Sequence, residues 1–463
     1  MTQLDPAGAE LAAADRPPPV KHQIYWRDTE SVEIGPPLRG DVRADVCIVG
    51  GGYTGLWTAY FLKQADPSLE IHIVEADYAG AGASGHNDGF VTPTIGHSLG
   101  ALVHAFGAER SKVAYAVVGR SMLEVDRFCR KHGVDAELEP NGYYQVATSA
   151  GQVGRLRADL ELAERLGART SLELLDADAI RDRIGSPEFH AAFKVGGALI
   201  NPHRLARGLT RVVRAAGVHV HEQTRATDVS RTTGGHLVTT PYGRVTADRV
   251  VFATNAYQHQ FRQFRRDVLP VWSYAAVTEP LSDEQLKQVH WPDREGFVEA
   301  RNFIVFGRLT AQNRLLIGGG RAPYYFGRDM DESRHMDNRA ITRSLREALD
   351  RYFPVWRGVR FTHTYGGCVA ITRDFVPHTG SLGDGLYYSY GYCGNGIALT
   401  LTAGKVLRDL ILGRDSAYTN LLFVNRKEAR FPGEPLSYLG AGAMSALLGV
   451  QDRYPRLIKR QIV

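Results

Sequence analysis

The sequence predicts an α/β fold that begins with a parallel sheet, and three observations lead to this prediction. The run ADVCIVGGG, residues 44–52, is almost continuously apolar and ends in glycines, which is typical of a strand buried on both faces. The next segment, YTGLWTAYFLKQ, has apolar residues at helical spacing, and EIHIVEAD, residues 70–77, supplies a second apolar strand. Strand, helix and strand within roughly 30 residues form a βαβ unit with a right-handed crossover.

Length and composition define the class of protein. The chain has 463 residues, of which 44% are hydrophobic and 23% charged, as in a globular protein of more than one domain. Its 55 basic and 50 acidic residues leave a net charge of only +5, so we expect no nucleic-acid partner. Four scattered cysteines, no secretory signal and no apolar run of about 18 residues predict a cytoplasmic protein without a transmembrane segment. The oligomeric state stays open.

The glycines after the first strand predict a dinucleotide site. Gly50, Gly52 and Gly55 form a G-x-G-x-x-G motif, in which the glycines permit a tight turn, a close approach to pyrophosphate and close helix packing. The helix that follows offers free N–H groups to phosphate. Glu75 lies 20 residues beyond Gly55, at the end of the second strand, where a carboxylate binds ribose hydroxyls and disfavours a 2′-phosphate.

Several segments together resemble the FAD-dependent D-amino acid oxidase superfamily. They are ADVCIVGGGYTGLWTAYFL, GAGASGHNDG, NPHRLARGL, ATNAY and GYCGNGIALTLTAGKVL, and the resemblance is greatest to the glycine/sarcosine and γ-glutamylputrescine oxidase branch. It implies a discontinuous Rossmann-like FAD-binding domain with an inserted α+β substrate domain. The implied boundaries are an arm at 1–35, the FAD domain at 36–98, 192–258 and 362–414, the substrate domain at 99–191 and 259–361, and a C-terminal extension at 415–463.

The resemblance also implies which residues contact the flavin. GASGHN matches the family's G-A-S-G-R-N, so Ser84 and Asn87 are expected beside the ribityl chain and ring edge. GYCGNGIALT is similar to a stretch in which a helix N-terminus stabilises negative charge on the reduced flavin. The residues expected there are Gly394, Asn395, Gly396 and Ile397.

Substrate residues are implied by two further segments. LPVWSYAAVTEPL resembles a strand that crosses above the flavin, which makes Trp272 and Tyr274 candidates for the pocket lining or, alternatively, for ordinary core packing. FIVFGRLTAQNRLLIGGG places Arg308 either facing the cavity, where it would bind a substrate carboxylate, or bracing it; a surface ion pair is the third alternative. The sequence identifies no catalytic carboxylate cluster and no metal site.

The activity that the resemblance implies is oxidation of the C–N bond of an amine or amino acid. Hydride passes to the flavin, water hydrolyses the imine, and O2 reoxidises the flavin to give H2O2. One alternative is a dehydrogenase that passes electrons to a quinone or carrier protein, with the apolar tail segment LSYLGAGAMSALLGVQ, which we expect to form a packed helix, as a docking surface. The other is a flavin-binding protein without turnover.

His86 and Asp88 depart from the pattern of the branch. Its members usually carry arginine and glycine at these positions. In the dimethylglycine and sarcosine dehydrogenase relatives a stretch of the form A-G-S-T-W-H-x-x-G bonds its histidine to the flavin, and His86 and Gly89 lie in register with it. Three interpretations of His86 therefore stand: a covalent histidyl-flavin, a hydrogen-bonding residue beside the ring, or a structural histidine.

Overall fold

The computed structural model describes residues 19–96, 98–167, 173–426 and 430–454. The first 18 residues of the expected N-terminal arm and the last nine of the C-terminal extension lie outside this range. The strands are β1 Val42–Val49, β2 Ile71–Val74, β3 Phe90–Val91, β4 Tyr143–Ala147, β5 Leu175–Asp176, β6 Ala191–Val195, β7 Ala198–Leu199, β8 His219–His221, β9 Asp228–Thr232, β10 Gly235–Thr240, β11 Gly243–Phe252, β12 Leu269–Thr278, β13 Gly296–Glu299, β14 Val305–Leu309, β15 Leu315–Gly319, β16 Phe361–Ile371, β17 His378–Gly383 and β18 Leu386–Tyr390. The α-helices are α1 Tyr53–Ala65, α2 Ala83–His86, α3 Leu99–Phe106, α4 Ala108–His132, α5 Ala150–Arg165, α6 Ala177–Arg181, α7 Pro202–Ala215, α8 Asp283–Gln288, α9 Glu332–His335, α10 Arg339–Tyr352, α11 Gly396–Ile411 and α12 Leu436–Arg453.

The first sheet contains the predicted βαβ unit. Its strand order is β17-β18-β11-β1-β2-β8, with β10 and β9 added beside β11. Strand β1 lies between β2 and β11 and pairs with both in parallel, which explains why its apolar run is continuous. The fold class predicted from the sequence is therefore confirmed, because three separate stretches of chain build one largely parallel sheet.

The second sheet has the order β16-β12-β15-β14-β13-β4-β6-β5 and is largely antiparallel. Two of the expected boundaries fall inside its strands. Strand β6 begins at Ala191 and β16 ends at Ile371, so the chain leaves this sheet after 195 and after 371 rather than at 192 and 362. The reason is pairing: β6 pairs with β4, and β16 pairs with β12 along its whole length.

Helices α1 and α11 pack tightly against each other beneath the first sheet. Residues 53–62 of α1 are all buried. A Cβ on Gly404 of α11 would lie 2.8 Å from the Cβ of Trp57, so glycine is needed for this close approach. The contact matters for function because both helices start at the same edge of the sheet, and their N-termini therefore point into one region.

The C-terminal segment forms helix α12, but it is not packed as the sequence predicts. Leu436 and Leu439 are 62% and 61% exposed, whereas Ser437 and Gln451 are buried. The polar side is held because Asn302 Nδ2 donates to Gln451 Oε1 at 3.0 Å, and the amide of Asn302 donates to Asp452 Oδ1 at 2.8 Å. Within the described ranges, no helix is both long enough and apolar enough to span a bilayer.

Candidate cofactor and active site

The glycine motif forms the turn between β1 and α1. Gly50 has a φ of +110°, and a Cβ there would lie 2.8 Å from the carbonyl oxygen of Ala253. A Cβ on Gly55 would lie 2.1 Å from the carbonyl oxygen of Gly50, so the helix could not approach the strand with any larger residue. At Gly52 a Cβ would meet Ser84 Oγ at 2.9 Å. Each glycine is therefore required by a separate close approach.

Glu75 lies at the end of β2, beside this turn. Its Oε2 accepts a hydrogen bond from the amide of Gly51 at 2.7 Å, and its Oε1 accepts one from the amide of Asp77 at 3.0 Å. Burial raises the pKa of Glu75, and these two hydrogen bonds oppose the effect. Each carboxylate oxygen has a second lone pair, which suits it to accept a hydrogen bond from a ribose hydroxyl.

The small-residue turn leads into α2, and two of its polar side chains are used by the protein itself. Ser84 Oγ accepts from the amide of Tyr53 at 2.8 Å, in the first turn of α1. Asn87 Nδ2 donates to the carbonyl of Ser84 at 2.8 Å, and Asn87 Oδ1 accepts from the amide of Gly89 at 2.9 Å. Ser84 therefore holds the turn against the start of α1, and Asn87 holds the turn together internally.

His86 is buried at the end of α2, in contact with Arg27 from the N-terminal 3-10 helix Tyr25–Thr29. Its Nε2 lies 3.1 Å from Arg27 Nη2. Burial, together with the nearby Arg27 and His203, lowers the pKa of His86 to about 3. The imidazole is therefore neutral at neutral pH, and its Nε2 accepts the hydrogen bond from the guanidinium.

The N-terminus of α11 approaches the same region. Asn395 precedes the helix, and its Oδ1 accepts a hydrogen bond from Thr92 Oγ1 at 3.3 Å. Gly394 has a φ of +89°, and no atom lies within 4 Å of a Cβ on Gly394 or Gly396. The first amides of α11, at Gly396 and Ile397, belong to the group that has no partner within the helix.

These parts fit a dinucleotide with a ring system at one end. A glycine turn, a carboxylate and two helix N-termini lie around one region, and the backbone at Gly82, Gly394 and Gly396 faces open space. Helix N-termini favour the negative charge of a pyrophosphate or a reduced flavin. The residues that sequence reasoning assigned to the cofactor are thus brought together, although Ser84 and Asn87 also have structural partners.

Strand β16 separates this region from the core of the second sheet. A Cβ on Gly367 would point toward His86, 3.9 Å from its Cβ, whereas one on Gly366 would lie 2.7 Å from Tyr274 and 3.0 Å from Trp272. Trp272 and Tyr274 face the same side as Gly366, because β12 pairs with β16 in the register Tyr274↔Gly366. Both side chains pack in the core of the second sheet, which corresponds to the core-packing alternative; a part in the pocket lining stays a prediction.

Arg308 is buried and braces the backbone. Its Nη1 donates to the carbonyl of Ile200 at 2.8 Å and lies 3.4 Å from that of Gly89. Its guanidinium lies 5.7 Å from the centre of the Trp26 ring. Of the three alternatives that the sequence left open, the bracing one corresponds to these contacts, and burial excludes a surface ion pair.

Asp88 and Tyr365 form a polar pair beside Arg308. Neither Asp88 Oδ1 nor the hydroxyl of Tyr365 makes a hydrogen bond of normal geometry within the described chain, and both atoms are buried. Burial raises the pKa of Asp88 to about 7, while the charge of Arg308 and the hydroxyl of Tyr365 lower it in part. Tyr365 lies on the face of β16 that carries Gly367, so the pair is on the His86 side of the strand.

Sequence reasoning missed three of these residues as members of a site. Arg27 and Tyr365 are far from the turn in sequence and had no motif to identify them. Asp88 stands out in the sequence, because members of the branch usually carry glycine at this position, but this departure alone does not indicate a role.

The fold and the site together define a flavin-binding oxidoreductase. The profile of the DAO family, FAD dependent oxidoreductase, matches residues 45–410. The chain belongs to this family.

Its relatives carry more specific names. γ-Glutamylputrescine oxidoreductase from Escherichia coli K12 is 30% identical over 417 residues, which cover 88% of this chain and 93% of the relative. Glycine oxidase from Geobacillus kaustophilus is 25% identical over 384 residues, covering 81% and 95%. A crystal structure of glycine oxidase from the same species superposes with a TM-score of 0.71 at 20% identity, covering 84% of this chain and 100% of that one.

Proposed function

We propose that the protein oxidises the C–N bond of a small-molecule amine or amino acid with FAD as its cofactor. When bound, FAD would supply a two-electron acceptor: the amine would lose a hydride from carbon and a proton from nitrogen, O2 would take the two electrons and two protons as H2O2, and water would hydrolyse the imine to a carbonyl compound and a free amine. The names of the relatives support an amine substrate. The single structural observation that carries the proposal is Asp88, whose buried Oδ1 makes no hydrogen bond of normal geometry within the described chain and lies on the His86 side of β16.

Two sets of residues hold the cofactor in this proposal. The turn at Gly50, Gly52 and Gly55 brings the first turn of α1 to the pyrophosphate, which would bind amides other than that of Tyr53, and Glu75 accepts hydrogen bonds from the ribose. At the ring end, the N-terminus of α11 places positive potential near the flavin through Gly394, Asn395, Gly396 and Ile397. Residues of the second sheet form the substrate side, which corresponds to the inserted domain expected at 99–191 and 259–361.

Asp88 binds the amino group of the substrate. A carboxylate that titrates near neutral pH binds a substrate ammonium as its counter-ion or takes up its proton, and the neutral amine is the form that is oxidised. Arg308 fixes the Asp88 backbone through the neighbouring Gly89 carbonyl. The hydroxyl of Tyr365, beside the carboxylate, is a second polar group available to the substrate.

We further propose that the flavin is bound without a covalent link to His86. The Nε2 lone pair of His86 already accepts from Arg27. Denaturation of the purified protein with acid tests this: yellow colour in the supernatant is the expected result. Colour that stays in the pellet and disappears from it in His86→Ala would contradict the proposal and assign the covalent alternative.

The function itself is tested by anaerobic titration of the FAD-loaded protein. Amines named in the relatives, γ-glutamylputrescine and glycine among them, are compared with glycerol 3-phosphate, the substrate class of another structural neighbour, L-α-glycerophosphate oxidase. Loss of the flavin absorbance with an amine, followed by stoichiometric H2O2 on admission of air, is the expected result. Reduction by glycerol 3-phosphate and by no amine would contradict the amine proposal.

One observation favours the alternative electron acceptor. Helix α12 presents Leu436, Leu439 and Val450 to solvent, and no charged residue occurs between 436 and 451, so an apolar acceptor or carrier would find a matching surface. A dehydrogenase would be reoxidised slowly by air and rapidly by a quinone in stopped-flow measurements, which separates it from an oxidase.

The four cysteines are all free, which supports a reducing cytoplasmic location.

A further inference from the structure

Three histidines meet at the outer edge of the first sheet, far from the cofactor turn. His72 lies on β2, and His219 and His221 lie on the edge strand β8. The strands pair in parallel with His72 opposite His219. Because side chains alternate along a strand, the three imidazoles share one face, while Ile73 and Val220 point into the core on the other.

Glu70 completes the cluster. Its Oε1 lies 2.9 Å from His219 Nε2 and 3.1 Å from His72 Nε2, and all three ligand atoms lie within 4.8 Å of one another. Zinc binds nitrogen and carboxylate ligands at about 2.0–2.1 Å, which places neighbouring ligands of a tetrahedral ion roughly 3.3 Å apart. We propose that Glu70, His72 and His219 bind a divalent transition-metal ion, with Zn²⁺ as the reference ion.

His221 orients the central ligand. Its Nε2 lies 2.9 Å from His72 Nδ1, on the side of the ring opposite Glu70, and the two rings stack with centroids 5.1 Å apart. A hydrogen bond from His72 Nδ1 to His221 leaves the lone pair of His72 on Nε2, where it faces Glu70 and His219.

The donor set determines the class of ion. Two imidazole nitrogens and one carboxylate oxygen suit Zn²⁺, Ni²⁺ or Cu²⁺, whereas Mg²⁺ and Ca²⁺ prefer oxygen ligands alone. Glu70 and His219 are exposed and His72 is buried, so the ion enters from solvent and keeps an open position for water. The sequence predicts no metal site because the ligands come from two strands nearly 150 residues apart; only strand pairing brings them together.

A bound ion would link the edge strand to the strand that carries the cofactor carboxylate. Among the described strands, β8 pairs only with β2. The amide of Glu75 donates to the carbonyl of His221 at 2.9 Å, directly beyond the cluster. Metal binding therefore stabilises the edge of the sheet and does not depend on the proposed amine oxidation.

The test is calorimetric titration of untagged, EDTA-treated, FAD-loaded protein with ZnCl2. We expect about one ion per chain, and a loss of affinity of about tenfold or more in His219→Ala and in Glu70→Gln. Both substitutions are at exposed side chains, so the variants should fold, and flavin content checks this. His190→Ala, which removes an exposed histidine at the start of β6, is the matched control and should bind Zn²⁺ like the wild type.

Electron paramagnetic resonance of Cu²⁺ added to the oxidised protein identifies the ligands. The wild type should show couplings to two imidazole nitrogens, and His219→Ala should retain only one. Equal Zn²⁺ affinity in the wild type, His219→Ala and Glu70→Gln, or no binding by the wild type, would overturn the proposal and leave a hydrogen-bonded histidine cluster. These outcomes are independent of any amine substrate.

Discussion

At the scale of single residues, the site is built from atoms that leave no room for substitution or have no partner. Gly50 and Gly55 belong to the first kind, because a Cβ there would meet the carbonyl oxygen of Ala253 and of Gly50, respectively. Asp88 belongs to the second, because Oδ1 is buried without a hydrogen bond of normal geometry. Steric requirements of this kind are conspicuous in a sequence, whereas an unpaired carboxylate is visible only in three dimensions.

Gly52→Ala should release FAD. The new Cβ would lie 2.9 Å from Ser84 Oγ, so the Ser84 hydroxyl must turn away from the amide of Tyr53, and the added methyl group obstructs the close approach of the pyrophosphate. We expect a loss of FAD affinity of at least about tenfold, roughly 1.4 kcal/mol, measured by fluorescence titration of the flavin-free protein. Gly119→Ala is the control, since no atom lies within 4 Å of a Cβ in that helical position. Full flavin content in Gly52→Ala would contradict the prediction.

Asp88→Asn should stabilise the protein in a pH-dependent way. The carboxyl has a pKa of about 7 when folded and an ordinary value of 3.8, so the folded state holds the proton more tightly. The wild type therefore loses stability as pH rises from about 4 to about 7, and the neutral asparagine does not. Urea unfolding should show no relative gain at pH 4 and a gain of up to about 4 kcal/mol above pH 7.

The same substitution separates stability from function. Asp88→Asn should lower kcat/KM for an amine substrate by about tenfold or more, because the counter-ion of the amino group is lost. Asp228→Asn, at an exposed position of β9, should change neither property. A stability difference that does not change with pH would show that Asp88 does not titrate as described. An unchanged kcat/KM would show that Asp88 does not bind the substrate.

At the scale of secondary-structure elements, the sequence pattern predicted those parts of the fold that are formed by residues close together in the chain. The βαβ unit and its glycines follow from residues 44–77, because a strand, its turn and the next helix are neighbours in the chain. Arg27 reaches His86 across 59 residues, and no local pattern indicates that contact. For Trp272 and Tyr274 the sequence left pocket lining and core packing open, because alternation defines two faces of β12, while only its pairing with β16 decides which face meets the turn.

Helix α7 supports the small-residue turn through a buried ion pair. Arg207 Nη1 donates to Glu222 Oε1 at 3.0 Å and to the carbonyl of Ala79 at 3.1 Å, and the amide of Ala79 donates to the same carboxylate oxygen at 2.8 Å. Burial alone would raise the pKa of Glu222, but hydrogen bonds from the amides of Gly35 and Ala79, with Arg207, hold it below its ordinary value. The pair thus fixes the start of the turn.

Arg207→Met should remove one of the two guanidinium partners of the buried Glu222 carboxylate, and Arg214 Nη2, 3.1 Å from Oε2, remains as the other. We expect a loss of about 3 kcal/mol in the free energy of unfolding, the lower end of the cost of breaking a buried ion pair, and a lower FAD content, measured by urea unfolding and flavin absorbance. Arg211→Met, one turn further on the same helix, is the control. Its partner Glu30 is near the surface and Arg211 is exposed, so the cost should be about 1 kcal/mol or less. Equal losses in the free energy of unfolding for the two variants would show that the buried ion pair stabilises the protein no more than the exposed one.

At the scale of the whole molecule, the cofactor region joins stretches of chain that are otherwise separate. The β1–α1 turn, the 78–92 turn and the N-terminus of α11 converge there, with β16 of the second sheet facing His86. A ligand that contacts all of them stabilises the whole folded protein, since it binds the native state and not the unfolded chain. The stabilisation should therefore require the full length of the ligand.

FAD and FMN distinguish the two ends of the site. FMN lacks the adenosine half, and so it cannot use Glu75 or the full pyrophosphate interaction at the glycine turn. We expect FAD at 100 times its Kd to stabilise the flavin-free protein by about 2.7 kcal/mol, seen as a higher Tm, and FMN at the same concentration to have a much smaller effect. Glu75→Gln should narrow the difference between the two ligands, because it weakens the interaction with the adenosine ribose and disturbs the hydrogen bonds that Glu75 accepts at the glycine turn, and FMN uses neither in full. Equal stabilisation by FAD and FMN in the wild type would mean that the glycine turn contributes little to binding, and the site would then have to be rebuilt around the N-terminus of α11 alone.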